Sequence, residues 1–325
     1  MHVLTLTTNA DAPFMNEQMR ALERRGVSFS TLSVSGEGDG GNSRSPIDYL
    51  RYFPEVIAEA GNDYDLVHAH YGLIAPMALA QLRKPVVLSL WGSDLYGPVG
   101  PVSRACAPLC DELVVMSEEM QSTLGRPCEV IPDGVDLEKF QPKPQAEARR
   151  AVGWDEDDYQ ILFPYLPERD VKNYPRARRI VNAVNGRLER PVRLQAVHGV
   201  DHDTVPDYMN AADALLLTSR SEGSPNSVKE ALACNTPVVS VDVGDVSERL
   251  AGVSPSLVSD DDSDLIDELV SILESDIEPN GREAAREVSV ERTADQMIDV
   301  YERVSGTRVS ESSPDDVARA PEPLD

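Results

Sequence analysis

Residues 222–230, EGSPNSVKE, put two carboxylates around a turn that can bind an anion. Ser224-Pro225 reads as a helix start, with Ser as N-cap and Pro at the first helical position, where no N–H is needed. Gly223 lets a ligand approach the backbone with no Cβ in the way. The amides of Asn226, Ser227 and Val228 would then lie unpaired at the positive end of a helix, which suits a phosphate. A carboxylate accepts two hydrogen bonds well from a vicinal diol, such as a ribose or a sugar ring. Glu222 on the loop and Glu230 two turns into the helix could hold two parts of one extended ligand, with phosphate between them. The same residues also fit a plainer reading: an exposed loop acid at Glu222, and a Glu230 that lies beside Lys229 by chance.

These residues need a frame that aims them. An apolar run, ALLLTS, precedes the stretch and another, PVVSVDV, follows it. Strand, loop, helix and strand in that order place the turn at the carboxyl edge of a parallel sheet, where such folds bind ligands. The whole chain alternates in this way. HVLTLTT, VSFSTLSV, DLVHAH, PVVLSLWG, ELVVMS and EVIP read as strands of a first half, with helices such as FMNEQMRALERRG and PIDYLRYFPEVIAEAG between them. QILFPYL, PVRLQAVHG, ALLLTS and PVVSVDV repeat the pattern in a second half. Strands apolar on both faces and separated by helices predict parallel sheets covered on both sides, in two doubly wound α/β domains. GEGDGGNSRS reads as a flexible loop, and Pro142 and Pro144 mark the hinge. The expected division is 1–142, 143–280, a helical region 281–304 that packs back on the first domain, and a disordered acidic tail 305–325.

Composition bounds the function. The 325 residues carry 56 acidic and 30 basic side chains, a formal charge of −26. No basic face for nucleic acid is expected from such a balance. Lysine occurs only at 84, 139, 143, 172 and 229. Abundant Asp and Glu with scarce Lys resembles the proteins of salt-loving archaea, where a Debye length of about 3 Å or less screens the repulsion. There is no apolar run long enough to span a membrane and no positive leader, so a cytoplasmic chain is expected. Arg20, Arg24 and Arg25 on one helix offer a contact with the inner face of an anionic membrane, or simply a solvated face. The cysteines 106, 110, 128 and 234 form no CxxC pair, and DDDSD (260–264) reads as an acidic helix cap, so no metal is expected.

The segment LLLTSRSEGSPNSVKEALACNTPVVSVDVGDVSE resembles the signature of the retaining glycosyltransferases of family 4, which have the GT-B fold. The match runs through Glu222, Gly223, Pro225, Glu230, Ala231, Pro237, Val238 and Val239. DLVHAHYG (65–72), GSDLYG (92–97) and IPDGVDLEKFQP (131–142) resemble other segments of that family, so the likeness covers residues 1–304. It implies two Rossmann-like domains facing across a cleft. It further implies transfer of a sugar from a nucleotide-diphosphate sugar to a hydroxyl of a glycan or lipid-linked acceptor, with retention and without a cofactor. Glu222 would contact the donor sugar and Glu230 the ribose. Gly223, Ser224, Pro225 and the amides of Asn226, Ser227 and Val228 would receive the diphosphate, which Arg169 and Lys172 neutralise. Gly199, with Val200, would neighbour the base.

The chain departs from the family at several points. Trp91 stands where the family often has His before Gly-Ser-Asp, which leaves Asp94 as the polar candidate of that loop. The paired glycines after the first strand are missing, so Asn9, in TTNADAP, takes the acceptor side with His70 and Trp91. His68 and His70 alternate on a strand and share a face, where a core histidine is the plainer reading. Arg169 and Lys172 are closer together than the family pattern, and VHGVDHDTVPDYM merges two family strands. A GT-B sugar-nucleotide epimerase and a non-catalytic sugar-nucleotide-binding homologue are the competing readings.

Overall fold

A computed structural model describes residues 1–34 and 46–309. The expected loop 36–45 and the tail from 310 lie outside the described residues. The chain divides into two compact units: Met1–Ile131 with Glu291–Asp325, and Pro132–Val290.

The first unit is built on a parallel sheet of β1 (His2–Thr7), β2 (Ser28–Ser33), β3 (Leu66–His70), β4 (Val86–Leu90), β5 (Glu112–Val115) and β6 (Glu129–Val130). Their order is β2-β1-β3-β4-β5-β6. β3 and β4 are buried at every residue, so the face of LVHAH that carries His68 and His70 is covered as well as the apolar one. A sheet of this order reverses direction between β1 and β3, and the loops beyond their carboxyl ends border that crevice.

The helix Val290–Ser305 closes this unit. Its Tyr301 hydroxyl meets His68 Nδ1 at 2.7 Å, and His68 Nε2 meets Ser89 Oγ at 2.8 Å. Both ring nitrogens of a fully buried imidazole are thereby satisfied, as a buried polar group requires. Arg303 pairs with Glu112 at 3.1 Å and with Glu129 at 2.7 Å. Arg24 and Arg25 do not form a free basic face: they pair with Glu291 at 3.2 Å and Asp295 at 2.5 Å of this helix. Of the three arginines offered to a membrane surface, two are therefore engaged inside the unit. Among the described residues, no helix is long and apolar enough to cross a membrane.

The second unit repeats the plan with β7 (Tyr159–Phe163), β8 (Val192–Ala196), β9 (Ala214–Leu217), β10 (Val238–Ser240) and β11 (Leu257–Val258), all parallel. The order β11-β10-β9-β7-β8 puts the reversal between β7 and β9. Its core lies on both faces. Leu162, Leu215, Leu217 and Val238 pack on one cluster, while Ile161, Phe163, Ala214, Leu216 and Val239 pack on the other. Successive side chains of a strand point to opposite faces, so these apolar runs fill two cores at once.

The boundary between the units falls before the Pro142 hinge read from the sequence. Val135 and Phe140 are buried in the second unit's core, and Arg282 binds the carbonyls of Leu137 and Phe140 at 2.7 Å. The segment before the prolines is thus part of that unit. The acidic run also has structural work: Asp261 accepts from the Ser263 amide at 2.8 Å and caps the helix Asp262–Glu274.

Candidate functional site

The β7/β9 reversal brings together the candidates Lys172 and Glu222 of the second unit. After β7 the chain makes a short 3-10 turn, Asp170–Lys172, and passes through Asn173 at φ 56° into the helix Tyr174–Asn185. After β9, Thr218 Oγ1 donates to the Lys172 carbonyl at 3.1 Å, and the Arg220 amide donates to Val171 O at 2.8 Å. The two loops are thereby fastened to each other. Lys172 Nζ then reaches Glu222 Oε1 at 2.6 Å, with side-chain exposures of 7% and 13%. Burial pushes the Lys172 ammonium down from its ordinary range, and Glu222 opposes that shift. Arg169 precedes this turn and is exposed.

The helix Asn226–Ala233 starts one residue later than the sequence suggested. Pro225 occupies the N-cap position, and no side chain caps the helix. Ser224 is unavailable for capping because its hydroxyl donates to Asp245 Oδ2 at 2.8 Å and accepts from Lys229 Nζ at 3.0 Å. The Val228 amide is also engaged, donating to Pro225 O at 3.1 Å. Among the described residues, the Asn226 and Ser227 amides find no acceptor. Two unpaired amides therefore stand at the helix terminus, rather than the three expected.

Beneath this terminus lies a buried polar network that the sequence did not reveal. Lys229 is 1% exposed, and its Nζ also donates to the Asp133 carbonyl at 2.7 Å. Burial lowers its pKa, while Asp133, Asp245 and Glu230 raise it. Asp245 pairs with Arg249 at 3.2 Å. The Asp133 loop and the Ser224 turn are thus held to one ammonium. Gly244 completes the support from the other side. It sits at φ 57°, and a Cβ there would lie 2.5 Å from Gly223 O and 3.2 Å from Glu222 O.

Glu230, half-buried, faces His202 Nε2 at 3.4 Å. His202 Nδ1 lies 2.7 Å from Lys139 Nζ, which pairs with Asp203 at 3.0 Å. An ammonium only donates, so Nδ1 accepts and the proton of a neutral ring sits on Nε2, toward Glu230. Gly199, after β8, is exposed at φ 65° with open space about it. The 197–204 stretch forms no further strand among the described residues; β8 is followed by a 3-10 turn at His202–Thr204.

In the first unit, the candidates gather at the carboxyl ends of β1, β3 and β4. His70 is 5% exposed, with its ring 3.8 Å from that of His68 and stacked at 5.7 Å on Trp91. Burial drives the His70 pKa down to about 3, so the ring is neutral at physiological pH. Trp91 also packs on Phe14, at 5.1 Å. Asp94 is fully buried, and its two oxygens accept from the amides of Gly72 at 2.9 Å and Trp91 at 2.8 Å. Its burial raises the pKa, and those amides lower it. Asp94 thus fastens the β3 and β4 loops to one another. Asn9 is exposed, and its Oδ1 accepts from the Asp11 amide at 3.2 Å in a local turn.

Comparison with known proteins supplies the family and the fold class. Residues 2–139 match the model of Glycosyltransferase Family 4, and residues 174–275 match that of Glycosyl transferases group 1. The D-inositol 3-phosphate glycosyltransferase of Saccharomonospora viridis is 30% identical over 311 residues, covering 76% of this chain and 72% of that protein. The chain belongs to glycosyltransferase family 4. Another relative, the teichuronic acid biosynthesis glycosyltransferase TuaC of Bacillus subtilis, is 29% identical over 211 residues. That match spans 56% of this chain and 54% of TuaC. Among solved structures, Anabaena HepE in complex with UDP and glucose superposes with a TM-score of 0.71 at 15% identity, covering 93% of this chain and all of that one. The fold of this family 4 chain is therefore GT-B, and the chain is a glycosyltransferase.

Two features were missed in reading the family 4 motif alone. Tyr165, just past β7, places its hydroxyl 2.5 Å from Ser227 Oγ. His202 was passed over as well, although a lone His two residues past the Gly199-Val200 turn, at the same strand end, was the available signal.

Proposed function

We propose that the chain moves a glycosyl group from a nucleoside diphosphate sugar to a hydroxyl of a glycan or lipid-linked acceptor, with retention of anomeric configuration. The reading rests on one observation: Lys172 and Glu222, 2.6 Å apart, stand with the unpaired amides of Asn226 and Ser227 around the β7/β9 reversal. In this reading the diphosphate lies on those amides and on Lys172, with Arg169 as an exposed second cation. Glu230 accepts from the ribose hydroxyls, and Glu222 contacts the donor sugar. Gly223, Ser224 and Pro225 shape the turn, and Gly199 borders the base. The bond from the anomeric carbon to the diphosphate breaks while the acceptor oxygen bonds to the same face, and the acceptor proton leaves with the diphosphate. No protein nucleophile is needed. Stabilising the departing charge is the main task, and preorganised amides and an ammonium suit it. In the first unit, Asn9, His70 and Trp91 form the acceptor side, with Asp94 a positioning residue for the Gly72 and Trp91 loops.

HepE was solved with UDP, and the relatives are named for D-inositol 3-phosphate and teichuronic acid. These names choose the first trials: UDP-sugars as donors, and phosphorylated polyols, glycans and extracted lipids as acceptors. NMR of the product is expected to show an α linkage from an α-linked donor, with transfer lost in Lys172→Ala and donor affinity lost in Glu230→Ala. An inverted product, or full activity in both variants, would overturn the assignment.

A further inference from the structure

Tyr165 touches both halves of the donor site. Its position is fixed from behind. Its amide donates to Phe163 O at 2.9 Å, and its ring meets that of Phe163 edge to face at 5.5 Å. On one side, Lys172 Nζ stands 3.6 Å from the centre of its ring. On the other, its hydroxyl meets Ser227 Oγ at 2.5 Å, on a residue whose amide is unpaired. Burial, and then Glu222, push the phenol well above its ordinary pKa, so the hydroxyl stays protonated.

Lys172 needs such a support. It is 5% exposed, and among the described residues its one carboxylate partner is Glu222. When a diphosphate enters, the ammonium must serve the phosphate oxygens, and Glu222 must turn to the sugar. The ring face is the partner that stays in place, because its negative quadrupole attracts a cation without competing for donor hydrogens. We infer that Tyr165 is a positioning residue of the donor site: its ring carries the Lys172 ammonium and its hydroxyl ties down the helix terminus at Ser227, so one side chain sets the spacing between the two groups that receive the diphosphate. This inference rests on the diphosphate assignment made above.

The test uses the full chain and two probes, UDP and uridine, whose affinity ratio isolates the diphosphate. Lys172→Ala comes first. If it leaves the ratio unchanged, the diphosphate assignment itself fails, whatever Tyr165 does. With that ratio shown to depend on Lys172, Tyr165→Leu is expected to lower it about tenfold, the scale of a desolvated cation–π contact. Tyr165→Phe keeps the ring and should lose only about threefold, and adding Ser227→Ala to it should cost nothing more. Tyr165→Leu could disturb the core, so mono-, di- and trifluorinated phenylalanines at 165 decide the matter. They keep the ring's shape and withdraw charge from its face, and the ratio should fall with each fluorine. A flat series would overturn the proposal, even if Tyr165→Leu fails to fold.

Discussion

At the scale of single residues, the ion pair between Lys172 and Glu222 makes an unusual demand on mutation. Glu222 neutralises the cation that the proposed diphosphate needs. Glu222→Gln should therefore bind UDP about tenfold more tightly, since a negative charge close to the phosphates is gone. The same variant should transfer sugar about a hundredfold more slowly, because the proposed contact with the donor sugar is lost. Titration calorimetry with UDP and a turnover assay read the two effects separately, and parallel losses in both would refute the opposition. The paired histidines offer a second check. Burial pushes the folded His70 imidazole down to about 3, from 6.5 for a free imidazole. The unfolded chain therefore takes up a proton first as pH falls. Stability is full above pH 6.5 and declines below it, by about 2 kcal/mol at pH 5 from this residue alone. Urea unfolding at the two pH values should show that loss, and His70→Gln should reduce it. Residues of this kind were unevenly legible in the sequence. Glu222 and Glu230 stand in a spaced motif and could be read, whereas Ser224 was misread as a cap. Its true partners, Asp245 and Lys229, depend on a buried ammonium that also needs the Asp133 carbonyl, and no local pattern encodes such a long-range set. Tyr165 carries no periodic signal at all.

At the scale of elements, the site depends on loops that brace one another. The turn at Glu222 and Gly223 leans on Gly244, which follows β10, and the close approach leaves no room for a methyl group. Gly244→Ala should displace the turn by a fraction of an ångström to about an ångström, enough to cost about a hundredfold in rate. The fold should survive, because the strain falls on two loops beyond the carboxyl ends of β9 and β10 rather than in either core. Melting temperature and kcat/KM measured together check this; a variant with normal kcat/KM would show that the turn tolerates the shift. The strand order was legible only in part. Apolar runs announced the strands, and alternation with helices announced a parallel sheet. The order β8-β7-β9-β10-β11 came from the structure, since pairing depends on which helices cover which face. Pro142 and Pro144 looked like the hinge because prolines punctuate chains. Phe140 and Val135 decide otherwise, as their burial draws the preceding segment into the second unit.

At the scale of the whole molecule, charge dominates. A net charge of −26 over 325 residues makes like-charge repulsion a standing cost of the folded state. Raising KCl from 0.1 to 1 M shortens the Debye length from about 10 Å to about 3 Å. The melting temperature should rise by several degrees over that range, and a fall or a flat response would count against a salt-adapted chain. The composition alone made this prediction available, because net charge needs no knowledge of contacts. The path of the chain between the units was harder to foresee. The first unit takes in residues up to Ile131 and then, after the whole of the second unit, the helix from Glu291 onward. That helix brings the Tyr301 hydroxyl to the buried His68 imidazole. A ribosome delivering this chain from its N-terminus therefore exposes six strands of the first unit long before their last helix exists. The Pro132–Val290 unit can finish folding while its predecessor still waits, with a histidine lacking its phenol. The order of synthesis and the order of completion are reversed, and an early arrest would leave the first unit, not the second, in need of a chaperone.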